Sequence, residues 1–312
     1  MYEAYYRFAQ SPFTLAPDPR FLYLSESHDA AIGQILQSIR RKEAFIVLTG
    51  DIGTGKTTLC RALLERFDET TFTSLMLNPF MSADELLREI LLDFGVVSRD
   101  SVRNGRAASA TTHELASTLH DFLGTLAPLG ASGVLIIDEA QHLSPAVLEQ
   151  IRILSNLEKN GSRLQVILVG QLNLLDVLAA ANLRQLDQRI SLRAMLRPLT
   201  REETHAYIPH RLTVARGASS VAFDAAAIDR VHAMTGGVPR VVNLLCDRSL
   251  MRGATANLSL ITKDVIEEAA SGLALEHTAA RPWWRGPALW AIVIAIALLA
   301  AIGAALFFTR GI

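Results

Sequence analysis

Gly50-Asp51-Ile52-Gly53-Thr54-Gly55-Lys56-Thr57-Thr58 has the spacing of a phosphate-binding loop, and it follows the apolar run Phe45-Ile46-Val47-Leu48-Thr49. That run reads as a buried strand, so strand, loop and helix arrive in the order such a loop needs. Its glycines allow the backbone to wrap a β-phosphate with N–H groups pointing inward. Lys56 would neutralise the β- and γ-phosphate oxygens, and Thr57 would ligate Mg²⁺. The helix predicted over 57–67 aims its N-terminal partial positive charge at the same phosphates. The whole stretch is therefore the expected ATP-binding set. A Gly-rich turn that merely imitates the pattern is the bland alternative.

A second strand, Gly133-Val134-Leu135-Ile136-Ile137, ends in Asp138-Glu139-Ala140-Gln141-His142. Two acids at a buried strand end are costly unless they meet a cation. Asp138 fits the acid that holds Mg²⁺ through its water shell, and Glu139 fits the general base that orients and deprotonates the attacking water. Capping of the next helix would be the purely structural role of such a pair.

Three further positions complete a pattern that resembles the AAA+ type ATPases. The buried strand Arg163 to Gly170 ends in Gln171. In such ATPases the polar side chain at that place stands between the two phosphate motifs and reads the γ-phosphate. Arg189 sits immediately before a strand predicted over 191–196, where clamp loaders carry an arginine offered to the neighbouring subunit's nucleotide. Arg184 and Arg193 lie close by, and all three could instead form a solvated basic face. Finally, Gly236-Gly237-Val238-Pro239-Arg240 ends one helix and opens the next. It resembles the lid arrangement in which the arginine, here Arg240, reaches across to the phosphates.

The chain has 312 residues and a formal net charge of −1, so it carries no global nucleic-acid signature although arginine greatly outnumbers lysine. Nucleic acid is not expected as a partner. Cys60 and Cys246 are the only cysteines and sit in apolar helical patterns, which fits buried thiols in a reducing compartment. The N-terminus is polar and aromatic and does not read as a secretory signal. From Pro287 to Phe308 no residue is charged, and at ~1.5 Å per residue this stretch spans a hydrocarbon core of ~30 Å. It is predicted as a transmembrane helix. Trp283, Trp284 and Trp290 form an aromatic anchor, and Arg281 and Arg285 against Arg310 favour a cytoplasmic N-terminal body.

The predicted fold class is α/β: an AAA+ type P-loop domain with a five-stranded parallel sheet, a helical lid and one C-terminal transmembrane helix. Residues 1–44 would flank the nucleotide, 45–198 form the α/β core, 199–275 the lid, 276–286 a juxtamembrane linker and 287–308 the span. Strands are expected near Phe45, Thr73, Val134, Gln165 and Ser191, with helices between them. Ser98 to Thr112, rich in Ser, Arg, Ala and Gly, reads as a loop.

Met1-Tyr2-Glu3-Ala4-Tyr5-Tyr6, Ser11-Pro12-Phe13 and Pro17-Asp18-Pro19-Arg20-Phe21 resemble, together with the motifs above and Val169-Gly170-Gln171, the general secretion pathway protein A (ExeA-type) ATPases. The resemblance covers about residues 1 to 275. It implies a homo-oligomeric, single-pass inner-membrane ATPase whose cytoplasmic domain hydrolyses Mg-ATP. The work implied is assembly or operation of a bacterial envelope secretion system, in the manner of secretin assembly, with an inner-membrane partner protein and the lipid bilayer. Family members often carry a peptidoglycan-binding region, whereas the sequence here stops soon after Phe308. Peptidoglycan would then be reached only indirectly, through a partner. The alternative from another class is a DNA-binding transposition ATPase of the TniB kind, from which the predicted membrane helix separates this chain.

Overall fold

The computed structural model describes residues 2–272, apart from 106, 157, 160–161, 216 and 218–220. The predicted membrane span over 287–308, with its flanking arginines and tryptophans, lies outside the described residues. Among the described residues no helix is long and apolar enough to cross a membrane.

Six strands belong to the main sheet: β1 Phe45–Gly50, β2 Thr71–Met76, β3 Ser132–Ile137, β4 Glu158–Lys159, β5 Ser162–Gly170 and β6 Ile190–Leu196. Five run parallel in the order β2-β3-β5-β1-β6, and the short β4 pairs antiparallel with the start of β5. The helices that precede β6 are α1 Tyr2–Tyr6, α2 Glu26–Arg40, α3 Lys56–Leu64, α4 Ala83–Asp93, α5 Arg99–Asn104, α6 Thr112–Leu126, α7 Pro145–Leu154, α8 Asn173–Leu178 and α9 Arg184–Asp187.

The strand residues divide by parity. Phe45, Val47, Leu135 and Ile137 face one buried cluster shared with α4, α6 and α7, while Ile46, Leu48, Val134 and Ile136 face a second shared with α2 and α3. Both faces of the sheet are covered, which is why the strands read as unbroken apolar runs. Fully burying a Leu or Ile side chain contributes ~1.5–3 kcal/mol, so these two clusters fix the register of every strand carrying a motif.

Local signals set the helix starts. Ser82 with Glu85 and Thr111 with Glu114 form capping boxes at α4 and α6. The stretch predicted as a loop from Ser98 contains α5, because the Ser98 hydroxyl accepts from the Ser101 N–H and nucleates a turn.

After β6 the chain becomes helical: α10 Arg201–Ala215, α11 Ala225–Thr235, α12 Pro239–Thr255 and α13 Lys263–Ser271, with a small parallel pair β7 Ala222–Phe223 and β8 Leu260–Ile261. The N-terminal segment is bound to this lid. Tyr2 donates to Asp247 Oδ1 at 2.5 Å, Tyr6 donates to the Leu258 carbonyl at 2.9 Å, and Arg211 donates to the Pro12 carbonyl at 2.7 Å. Farther along, Arg61 on α3 donates to the Pro17 carbonyl at 2.7 Å. The segment is thus a strap running from the lid to the core.

Candidate functional site

The parallel order places the carboxyl ends of β3, β5 and β1 side by side, with β5 in the middle. A crevice outside the carboxyl ends of parallel strands is where α/β sheets take their ligands. The loop after β1, the acids after β3 and Gln171 after β5 meet there because the register does not let them part.

Within the loop, Gly53 and Gly55 have positive φ of 84° and 98°. The Lys56 ammonium is buried and donates to the carbonyls of Gly50 at 2.9 Å and Asp51 at 3.0 Å. Burial pulls Lys56 below its usual range, opposed by the charges of Glu139, Asp138 and Asp51. Lys56, Thr57 and Thr58 open α3 and line the cavity together with Ile52, Gly53, Thr54 and Gly55.

Thr57 Oγ1 donates to Asp138 Oδ2, bringing the two predicted metal ligands into contact. One carboxylate and one hydroxyl, both hard oxygens, suit Mg²⁺ that keeps several waters and takes the rest of its shell from phosphates. Among the described residues there is no cluster of three His, Cys, Asp or Glu that could hold a metal by itself. This donor set fits Mg²⁺ carried in with a nucleotide.

Glu139 reaches the same cavity from a left-handed backbone, φ 53° and ψ 34°. Its Oε2 accepts from Gln141 Nε2 at 2.5 Å and more distantly from Gln171 Nε2 at 3.5 Å. Arg240 stands in the first turn of α12 and lines the cavity from the lid side, its backbone N–H donating to the Gly53 carbonyl at 3.1 Å. Arg189 is not part of this cavity. It lies exposed just before β6, with Nη1 3.3 Å from Ser155 Oγ.

Three features are not readable from the sequence motifs. Gln141 stands in the acidic motif without a role of its own, yet it grips Glu139. His28 on α2 is buried against the loop, Nε2 lying 3.1 Å from the Thr54 carbonyl and Nδ1 2.7 Å from Ser25 Oγ. A carbonyl only accepts, so the neutral ring carries its proton on Nε2 and takes the Ser25 hydroxyl at Nδ1. The far wall of the cavity is made by the strap and lid: the Arg211 guanidinium lies 4.4 Å over the Phe21 ring, and Tyr207 donates to Asn243 Oδ1 at 2.8 Å. The spacing of Tyr207 and Arg211, four apart on one helix, was the available signal.

Residues 39–178 match the model of the AAA domain family. General secretion pathway protein A of Aeromonas hydrophila is 36% identical over 308 residues, which is 97% of this chain and 53% of that protein. The chain thus spans about half the length of that relative. Among solved structures, the Aeropyrum pernix ORC2 protein in its ADPNP-ADP complexes covers 85% of this chain and 72% of its own, with a TM-score of 0.65 at 15% identity. Cdc6p from Pyrobaculum aerophilum gives a TM-score of 0.63 at 16% identity, covering 85% of this chain and 71% of its own. The Thermotoga maritima RuvB Holliday junction branch migration motor gives 0.51 at 16%, covering 80% and 70%. At such identities the structures establish the fold alone. The described residues therefore have the AAA+ type P-loop fold, which implies nucleotide binding, and the chain is an AAA-domain relative of general secretion pathway protein A.

Proposed function

We propose that this chain is an ATP hydrolase whose turnover drives assembly or operation of a bacterial envelope secretion system. The single observation that carries the catalytic half is the convergence of Lys56, the Thr57–Asp138 contact, Glu139 and Arg240 on one cavity between core and lid. Bound Mg²⁺ would be held by Thr57 and Asp138 and would neutralise charge on the phosphate oxygens. Lys56 binds the β- and γ-phosphate oxygens, exchanging its two carbonyl partners for them. Glu139 orients the attacking water and takes its proton at a carboxylate oxygen. Gln171, at the end of the strand between the two motifs, reads the γ-phosphate, and Arg240 stabilises it from the lid. Arg189, exposed and outside the cavity, acts on a neighbouring subunit's nucleotide in a homo-oligomer.

The secretion role rests on the likeness to general secretion pathway protein A. The apolar, uncharged stretch 287–308 supports a single inner-membrane span, with the AAA domain cytoplasmic and an inner-membrane secretion protein as partner. The paired variants Lys56→Ala and Glu139→Gln test the catalytic reading. Lys56→Ala should lose nucleotide binding, whereas Glu139→Gln should hold Mg-ATP and lose turnover. Equal loss of binding in both would overturn the role assignment.

A further inference from the structure

Gln141 occupies a position that neither the metal nor the phosphate chemistry requires, and it is only 8% exposed. Both ends of its amide are committed. Nε2 donates to Glu139 Oε2 at 2.5 Å, and Oε1 accepts from the Gln171 backbone N–H at 3.0 Å. The amide also lies against Gly170, where a Cβ would come 2.5 Å from Gln141 Oε1 and 2.9 Å from a Leu174 methyl. Any larger residue at 170 would therefore expel the amide from its seat. The backbone of β5 is bare at the point where Gln141 crosses it.

We propose that Gln141 is a positioning residue, a strut that fixes the Glu139 carboxylate to the end of β5. The inference rests on the reading of Glu139 as the base for water. Glu139 needs such support because its left-handed backbone is uncommon for a residue with a side chain, and a carboxylate half-open to a cavity has several rotamers to choose from. The strut ties that choice to the strand carrying Gln171. A shift of the β5 end on contact with a γ-phosphate is passed through the Gln171 N–H and the Gln141 amide to the carboxylate. Since a misplacement of ~1 Å can cost ~100-fold in rate, the strut belongs to kcat and not to affinity.

The test compares wild-type full chain, Gln141→Ala, Gln141→Glu and Gly170→Ala in Mg-ATP turnover and Mg-ATP binding. Gln141→Glu keeps the acceptor for the Gln171 N–H and loses the donor to Glu139. All three variants are expected to lower kcat by ~10-fold or more while holding the Mg-ATP Kd within ~2-fold. Turnover within 2-fold of wild type in Gln141→Ala, or equal losses in kcat and affinity, would overturn the strut. A double-mutant cycle of Gln141→Ala with Glu139→Ala, read as unfolding midpoints in urea, probes the same contact without turnover. Non-additive midpoints are expected and additive ones overturn the strut. If wild type binds Mg-ATP without hydrolysing it while the cycle is non-additive, the hydrolase reading fails and the strut stands.

Discussion

The Arg240 backbone N–H donates to the Gly53 carbonyl at 3.1 Å, so the first turn of the lid helix α12 is docked directly on the tip of the phosphate loop. A Cβ placed on Gly53 would lie 2.7 Å from Arg240 Cβ and 3.2 Å from a Val238 methyl, at a φ of +84°. Lid and loop therefore share one packing contact, and a ligand that reshapes the loop must also be felt by α12. Gly53→Ala should cost ~1–2 kcal/mol for the left-handed backbone and also prise the lid from the loop. Urea unfolding and calorimetric ATP titration should report a lower midpoint together with weaker Mg-ATP binding. Arg240→Ala keeps the backbone contact, so it should leave the unfolding midpoint in place and lower turnover.

The strands that end in the two motifs, β1 and β3, were legible because each is an apolar run that stops at polar residues unsuited to a core. The strands predicted near Phe45, Thr73, Val134, Gln165 and Ser191 are the five parallel strands of the sheet, since covered parallel strands announce themselves as apolar runs. What stayed hidden depends on contacts distant in sequence. Gln141 looks like any residue of a helical turn until β5 brings Gly170 against it. His28 belongs to no motif, and its Thr54 carbonyl partner lies in the loop 26 positions later. The N-terminal segment is expected from its motifs to flank the nucleotide, but no periodicity reveals that Tyr2 and Tyr6 bond to residues 247 and 258.

His28 should matter to the loop through one donated hydrogen bond. Gln reaches as far as Nε2 and can donate, so His28→Gln should keep Mg-ATP affinity. His28→Leu removes the donor to the Thr54 carbonyl and should cost ~1–3 kcal/mol of stability with weaker binding. Burial pulls His28 below its usual range, against the opposing pulls of the Thr54 carbonyl and Glu203. The unfolded chain therefore binds the proton more readily, so this contribution is complete above about pH 6.5 and is lost as pH falls from there toward the folded value. His210 and His232 are shifted the same way by burial, so the difference between wild-type and His28→Gln stability curves isolates the His28 share. Identical slopes below pH 6.5 would refute it.

Arg211 should be the keystone of the strap. It is buried, stacks on Phe21, and gives separate donors to the carbonyls of Pro12 and Thr14 at 2.7 and 3.0 Å. Lysine offers a point charge where a planar fork is needed, so Arg211→Lys is not a mild change here. The expected cost is ~1–3 kcal/mol in urea unfolding, with weaker ATP binding because the far wall of the cavity loosens. A variant that loses stability yet binds ATP unchanged would show that the strap holds the lid without shaping the site.

Arg189 should reveal itself only between subunits. Of the three arginines around β6, Arg193 is already paired with Asp187 at 2.7 Å, whereas Arg189 is exposed and its guanidinium contact to Ser155 Oγ is long at 3.3 Å. An arginine donated in trans is worth ~10³–10⁵ in phosphoryl transfer, so Arg189→Ala alone should be nearly inactive at any concentration. Mixing it with Glu139→Gln protein should restore turnover, because some interfaces then combine an intact arginine with an intact base. Arg184→Ala in the same mixing series separates the two exposed candidates, and it should keep turnover without a partner. Mixed oligomers verified by crosslinking that stay inactive at every ratio would remove Arg189 from the reaction.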